Sequence, residues 1–281
     1  MNSLLVMQTD FGNSDGAVSA MYGVALSVNK QLRIFDLTHD IPPFHIWDAS
    51  YRLYQTLPYW PKHTVFVSVV DPGVGSDRKS VVVRTESDHF IVTPDNGTLT
   101  HIHKYFGIKE ARIINEVVNR LPYSQDSYTF HGRDVYAYTA ARLAAKQITY
   151  DEVGPLIPKD LLVFLSVKEP MIVGNQIFGS IDILDVRFGN LWTNIDRDIF
   201  NQLNAVFGNL FEVSIVQGEK QIYKSKMIFA KTFAENNIGN PLLYINSLNR
   251  IGIAINQGSF AATYQIKAGA DWKVIIQPVA K

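Results

Sequence analysis

Thr64-Val65-Phe66-Val67-Ser68-Val69-Val70 runs straight into Asp71-Pro72-Gly73-Val74-Gly75-Ser76-Asp77-Arg78. Four of the first seven residues are Val, and only Thr64 and Ser68 are polar. A run this short and this continuously apolar reads as a strand buried on both faces, as in a parallel sheet covered by helices. It stops abruptly, because Pro72 cannot donate to a sheet ladder and Gly73 favours a turn. Working outward, Leu4–Thr9 and Ile34–Leu37 read as further strands, with Asp10–Gly16 a polar turn. Ser80–Thr85 and Phe90–Thr93 complete the set. Between them, Ala17, Met21, Val24 and Val28 recur at helical spacing, as do Trp47, Tyr51 and Tyr54 beyond Pro42-Pro43. Gly132–Ala145 is a long Ala-rich helical stretch. Strand and helix in alternation predict an α/β domain, Rossmann-like, with a mostly parallel sheet covered by helices.

Beyond about residue 170 the texture changes. Gln176–Leu184, Phe211–Val216, Lys226–Phe229, Leu242–Ile245, Ile251–Ile255 and Lys273–Gln277 are short β-type runs separated by Gly, Asn and polar clusters. That pattern predicts a small antiparallel β-barrel. The expected domains are therefore residues 1–165 and 171–281, joined through the proline-bearing stretch Leu156–Pro170.

Composition removes whole classes of function. With 26 Lys+Arg against 26 Asp+Glu, the chain has no net field to draw in nucleic acid or an anionic membrane. The absence of Cys excludes disulfide frameworks, thiolate-bound metals and thiol nucleophiles. No run approaches the roughly 20 apolar residues that span a bilayer. Met1-Asn2-Ser3-Leu4-Leu5-Val6-Met7 lacks the basic start and the cleavage site of a signal peptide. A cytoplasmic protein without nucleic-acid or membrane partners is the expectation.

Ligands of open parallel sheets bind at the carboxyl ends of the strands. Three polar segments stand there: Asp10 with Asp15 after the first strand, Asp71 to Arg78 after the third, and His131 before the Gly132 helix. An Asp, an Arg and a His from neighbouring loops can orient a water and take its proton, His being the side chain that titrates near neutrality. Each also has a plainer role. Asp10 and Asp15 suit helix caps, Asp71-Pro72-Gly73 a tight turn, and His131 a cap for the helix after it. Gly73-Val74-Gly75 lacks the third glycine of a dinucleotide fingerprint, and no Walker lysine occurs. His101 and His103 are spaced for a shared, solvent-facing strand surface, with metal ligation the alternative. Asn96-Gly97-Thr98 is read as a turn rather than a glycosylation site. In the second half, Phe188-Gly189-Asn190-Leu191-Trp192-Thr193-Asn194 interleaves aromatics with amides. That mixture suits stacking on a purine, or else a barrel core with solvated turns.

At these same residues the sequence resembles the S-adenosylmethionine hydroxide adenosyltransferase family, relatives of the fluorinase and chlorinase enzymes. The likeness rests on Thr9-Asp10-Phe11-Gly12, Asp36-Leu37-Thr38-His39-Asp40, Val69-Val70-Asp71-Pro72-Gly73, Pro94-Asp95-Asn96-Gly97, Thr129-Phe130-His131-Gly132-Arg133-Asp134 and Phe188 to Asn194, in the family's order. It implies an α/β domain followed by a β-barrel domain, and a homotrimer with active sites between subunits. The implied reaction is displacement of methionine from C5′ of S-adenosylmethionine by a water-derived hydroxide, with no metal or other cofactor.

The resemblance makes Asp71, Arg78 and His131 the water-activating set. Asp10 is then placed on the ribose diol, beside Phe44 and Phe130. Asp15, Asp185 and Ser247 are placed on the amino-acid tail. Phe188, Asn190, Trp192 and Phe233 would enclose adenine, with Asn256 and Gln257 near its edge. Where the halogenating relatives carry Tyr, Thr and Ser, this chain has Asp71, Val74 and Gly132, which favours hydroxide over halide. Two of their arginines fall at Leu248 and Ile255, and Arg250 stands near the first at a different spacing. Two other readings stay open: a metal-dependent nucleoside hydrolase built on Asp10 and Asp15, and a non-catalytic binder of adenosine or S-adenosylmethionine.

Overall fold

The computed structural model describes residues 4–279; Met1 to Ser3, part of the leader reading above, lie outside them. The chain divides into two compact units, one ending at Leu165 and one beginning at Ser166.

The first unit is built on six strands: β1 Leu4–Thr9, β2 Arg33–Thr38, β3 Val65–Val69, β4 Ser80–Thr85, β5 Phe90–Pro94 and β6 Ile108–Ile113. Their order in the sheet is β2-β1-β3-β5-β4-β6. The continuous apolar run of β3 has the reason expected of it. Val65, Val67 and Val69 pack with Met21, Val135 and Ala140 on one face, and Phe66 packs with Leu53, Leu57 and Leu99 on the other. Helix α1 (Ala17–Val28) and the Gly132–Ala144 helical segment supply the first face. Helices α2 (Ile46–Thr56) and α3 (Thr100–Tyr105) supply the second.

The sheet is mixed: the mostly parallel expectation holds for four of its six strands, and two depart from it. β1, β2, β3 and β5 run parallel, whereas β4 is antiparallel to both β5 and β6. Only residues 86–89 separate β4 from β5, too few for a crossover, so that pair must form a hairpin. The Gly132 helix opens as a π-helical turn, Gly132–Ala137, before becoming α4, Tyr138–Ala144. His101 and His103 lie on α3, not on a strand, and point apart. His101 is fully buried, with Nδ1 2.8 Å from Ser50 Oγ and its ring 4.5 Å from Trp47; His103 is exposed. Residues 156–165 are no free tether. Val163 N donates to Asp95 Oδ1, and Phe164 bridges to Gly97.

The second unit holds β7 Met171–Val173, β8 Gln176–Asp185, β9 Asn190–Asp196, β10 Leu210–Gln217, β11 Lys220–Phe229, β12 Pro241–Ile245, β13 Arg250–Ile255 and β14 Gly269–Pro278. Pairing of β14 with β8 closes a ring of seven strands, and β7 lies on β8 outside it. The barrel is not wholly antiparallel, because β11 and β12 pair in parallel. The segment between them, which carries Phe233, brings the chain back so that Leu242 and Leu243 run in the same direction as Ile228 and Phe229. Phe200, Phe211, Leu243, Ile253 and Phe260 fill the barrel interior.

Candidate active site

Thr9 of β1 and Val69 of β3 are register partners in adjacent parallel strands. Asp10 and Asp71 therefore leave the sheet side by side at its carboxyl edge. This is also where the connections diverge, β2 lying on one side of β1 and β5 on the far side of β3, which is the switch point where such sheets bind ligands. A cavity of about 250 Å³ opens here, lined by Asp10, Phe44, Asp71, Val74, Phe130 and His131 among others.

Asp71 is held from both sides. Behind it, Asn96 Nδ2 donates to the carbonyl of Val70 at 2.8 Å, so the Asn96-Gly97-Thr98 turn anchors the strand end. In front, Arg78 Nε donates to Asp71 Oδ1 at 2.8 Å and Nη2 to Oδ2 at 2.5 Å, a bidentate ion pair with both side chains nearly buried. Arg78 Nη2 also donates to His131 Nδ1 at 3.0 Å. A guanidinium has no acceptor, so Nδ1 must carry the lone pair and the neutral ring carries its proton on Nε2. His131 Nε2 is buried and has no hydrogen-bond partner among the described residues. The neutral imidazole thus keeps an unpartnered N–H, on a residue that lines the cavity. Burial first, and the nearby guanidinium of Arg78 after it, hold the His131 pKa below its ordinary value, with the carboxylate of Glu116 opposing.

The remaining first-unit candidates divide. Asp10 Oδ2 accepts from the backbone N–H of Phe44 at 2.9 Å, pinning a residue that sits at φ +70° with its ring largely exposed. Phe130 packs edge-on to Phe11 at 5.8 Å. Asp15 is not brought to the cavity. Its Oδ1 accepts from Ala17 N at 2.9 Å, an Asx-turn just ahead of α1, whose N-cap is Gly16 and not Asp15. Asp10 and Asp15 are both engaged by backbone N–H groups, and no group of three His, Asp or Glu side chains among the described residues is arranged to hold a metal.

In the second unit, Asp185, Phe188, Asn190, Trp192, Phe233, Ser247, Asn256 and Gln257 all line one cavity of about 1030 Å³. The β8–β9 turn brings Asp185 and Asn190 together, Asn190 Nδ2 donating to Asp185 Oδ2 at 3.3 Å. Gly189 in that turn has φ +69°, and a Cβ there would lie 1.9 Å from Ser259 Oγ, so no other residue fits. Asn256, part of the lining, donates from Nδ2 to Asn236 O at 2.8 Å. Ile255 lines the wall and Leu248 does not.

Several site residues escaped the sequence reading. Tyr244 lines the larger cavity, accepts from Trp192 Nε1 at 3.0 Å and packs 5.1 Å from Phe233. Burial pushes its phenol up to about 12, so it remains a neutral hydroxyl. Arg187 and Lys231 also line that wall. Beside Arg78, Ser80 Oγ accepts from Nη1 at 3.0 Å, and Tyr136 places its ring 5.5 Å below the guanidinium.

Comparison with known proteins agrees with both halves. Residues 5–154 match the SAM hydroxide adenosyltransferase N-terminal domain, and residues 179–273 match its C-terminal domain. The chain belongs to the SAM hydroxide adenosyltransferase family. A (R)-S-adenosyl-L-methionine hydrolase of Methanocaldococcus jannaschii is 36% identical over 252 residues, covering 87% of this chain and 85% of that protein. A fluorinase of an Actinoplanes species is 26% identical over 95% of this chain and 96% of its own. Among solved structures, an uncharacterised conserved protein from Thermotoga maritima superposes with a TM-score of 0.87 at 32% identity, covering 97% of this chain and 99% of that one. In this family member both cavities, and the Asp71–Arg78–His131 set, occupy the matched residues. No helix among the described residues is long and apolar enough to cross a membrane.

Proposed function

We propose that this protein hydrolyses S-adenosyl-L-methionine to adenosine and L-methionine by attack of water at C5′, and that it does so as a cytoplasmic homotrimer. The observation that carries the reading is the buried Asp71–Arg78–His131 set at the cavity floor. The hydrolase relative at 36% identity supports the same substrate. The O–C5′ bond forms as the C5′–S bond breaks, and the electron pair leaves on sulfur as a neutral thioether. No general acid is needed. The site must hold a water in line with the breaking bond and remove its proton. His131 Nε2–H donates to the water oxygen, which leaves a lone pair of that oxygen free to attack. Asp71 takes the proton, its carboxyl group held in place by Arg78. Base catalysis of this kind contributes about 10²–10⁴-fold.

Asp10, fixed at the cavity mouth, is placed to accept from the ribose diol. The larger cavity takes adenine between Phe188, Trp192 and Phe233, with Asn190, Asn256 and Gln257 at its edge. Asp185 and Ser247 receive the amino-acid tail. At about 250 Å³ the first cavity falls short of the roughly 300–1,000 Å³ that encloses a drug-sized ligand, so it accommodates the reacting end only. On this reading the two cavities are halves of one site, joined across subunits of the proposed trimer. Val74 and Gly132 supply no side-chain hydroxyl beside Asp71, which favours water over halide as nucleophile.

Turnover in ¹⁸O-labelled water tests the reading: label is expected at the adenosine 5′-oxygen, for each sulfonium epimer that reacts. Free adenine, or activity abolished by a chelator, would instead establish a metal-dependent nucleoside hydrolase. Tight binding without any turnover would establish a non-catalytic binder.

A further inference from the structure

The turn that follows β6 contributes no residue to either cavity, yet it reaches the Asp71–Arg78–His131 set by two routes. On one, Arg78 Nη1 donates to Ser80 Oγ at 3.0 Å, and Ser80 Oγ donates its single proton to Glu116 Oε1 at 2.9 Å. On the other, Arg120 Nη1 donates to Glu116 Oε2 at 3.0 Å, while its other nitrogens donate to the carbonyls of Ser124 and Ser127. Those two carbonyls belong to the loop that delivers Phe130 and His131. The same loop rests on the Asp71 loop, where a Cβ on Gly75 would come within 3.0 Å of Tyr128 O.

We propose that Glu116 is a positioning residue for this site, anchoring the Arg78 guanidinium through Ser80 and the His131 loop through Arg120. The inference rests on the reading of Asp71, Arg78 and His131 as the water-activating set. The physical case is a donor count. Ser80 has one hydroxyl proton, and Glu116 takes it, so only lone pairs face Arg78 Nη1. That orients the guanidinium plane, and with it the second Nη2 proton that reaches His131 Nδ1. Arg120 is nearly buried, and a buried guanidinium stripped of its carboxylate would draw on other acceptors, the Ser127 loop among them. Glu116 also balances charge. Around His131 stand Asp71 and Arg78 from the β3–β4 loop, Glu116 and Arg120 from the turn after β6, and Asp10 across the cavity. Arg133 on its own segment is paired with Asp134. With Glu116 ionised, the two carboxylates around Arg78 and Arg120 cancel the two guanidinium charges.

The test is Glu116→Gln, whose amide can face only one of Ser80 and Arg120 with its oxygen. It is expected to lower kcat for S-adenosylmethionine hydrolysis about 10–100-fold with KM changed less than about twofold, the pattern of misplaced reacting groups. The acid limb of the kcat–pH profile is expected to move to lower pH, because a carboxylate that favours His131 protonation has gone. Glu116→Asp should restore the position of that limb. Ser80→Ala, which cuts the Arg78 route and leaves the Glu116–Arg120 pair, should lower kcat in the same sense, and it serves if Glu116→Gln does not fold. In a His131→Ala background, Glu116→Gln should cost less than it does in wild type, since the part of its action that reaches His131 has gone. Full kcat and an unmoved pH profile in both Glu116→Gln and Ser80→Ala overturn the inference, as do losses that simply add to that of His131→Ala. If His131→Ala itself retains the wild-type rate, the underlying reading of the site fails, whatever Glu116 does.

Discussion

His131 shows how one hydrogen bond decides a role. From sequence it stood as the titrating member of an Asp, Arg and His set; the Arg78 Nη2 bond to Nδ1 puts the neutral ring's proton on Nε2. In the proposed mechanism its working form is the neutral ring, since a protonated Nδ1 would face the guanidinium donor to donor. Burial and Arg78 keep its pKa below the ordinary 6.5, so the neutral form is already dominant at pH 7. The expected kcat–pH profile is therefore flat upward from neutrality and falls on the acid side with a midpoint below 6.5. A limb centred above 6.5 would contradict the tautomer. Asp71→Asn keeps the shape of the side chain but removes the base, and should lower kcat by about 10²–10⁴ with little effect on KM, read by steady-state adenosine release. Gly132 makes a steric case. A Cβ there would meet Phe11 Cε2 and Cζ at 3.1 Å, so Gly132→Ser must push back the ring that packs on Phe130. We expect it to cost about 1–3 kcal/mol of stability by urea denaturation and to slow hydrolysis, without installing halide chemistry.

At the scale of elements, the β8–β9 turn determines how the larger cavity is shaped. Gly189→Ala would need φ +69° in a residue with a Cβ and would drive that Cβ into Ser259. The turn must then rebuild, separating Asp185 from Asn190, and adenosine affinity measured by calorimetry should fall at least about tenfold. Adenosine bound as tightly as by wild type would show that the turn does not shape the site. This turn also explains what the sequence concealed. β1, β3 and β4 were legible because each is a continuous apolar run covered on both faces. β9, Asn190–Asp196, was missed as a strand because its polar residues are buried and satisfied rather than exposed. Thr193 Oγ1 donates to Ile251 O and Asn194 Nδ2 to Lys168 O, both across the fold. β6 was missed for the opposite reason: Lys109, Glu110 and Arg112 mark an edge strand, where charge replaces the apolar run. The first-unit site was legible through strand-end positions, which are local. Ser80, Glu116 and Tyr136 were not, since each acquires its role from a partner 36 or 56 residues away.

For the whole molecule, the decisive feature is that each unit carries a cavity furnished with different chemistry. Asp71 and His131 line the first, with Arg78 bonded to both; aromatics and amides line the second. The cyclic trimer proposed above, with the first unit of one subunit facing the second unit of the next, would make every site a joint product of two chains. That arrangement has a consequence no single-chain site shares. Asp71→Asn damages only the first unit, and Trp192→Ala only the second, so each variant alone should be inactive. Co-expressed in equal amounts and purified together, they should regain activity. A site is intact when its first unit comes from the Trp192→Ala chain and its second from the Asp71→Asn chain, which random assembly produces in about a quarter of sites. Activity near a quarter of wild type, together with a trimer mass by analytical ultracentrifugation, is the expected outcome. Were both halves supplied by the same chain, every site in the mixture would carry one lesion, and the mixture would be as inactive as its parents.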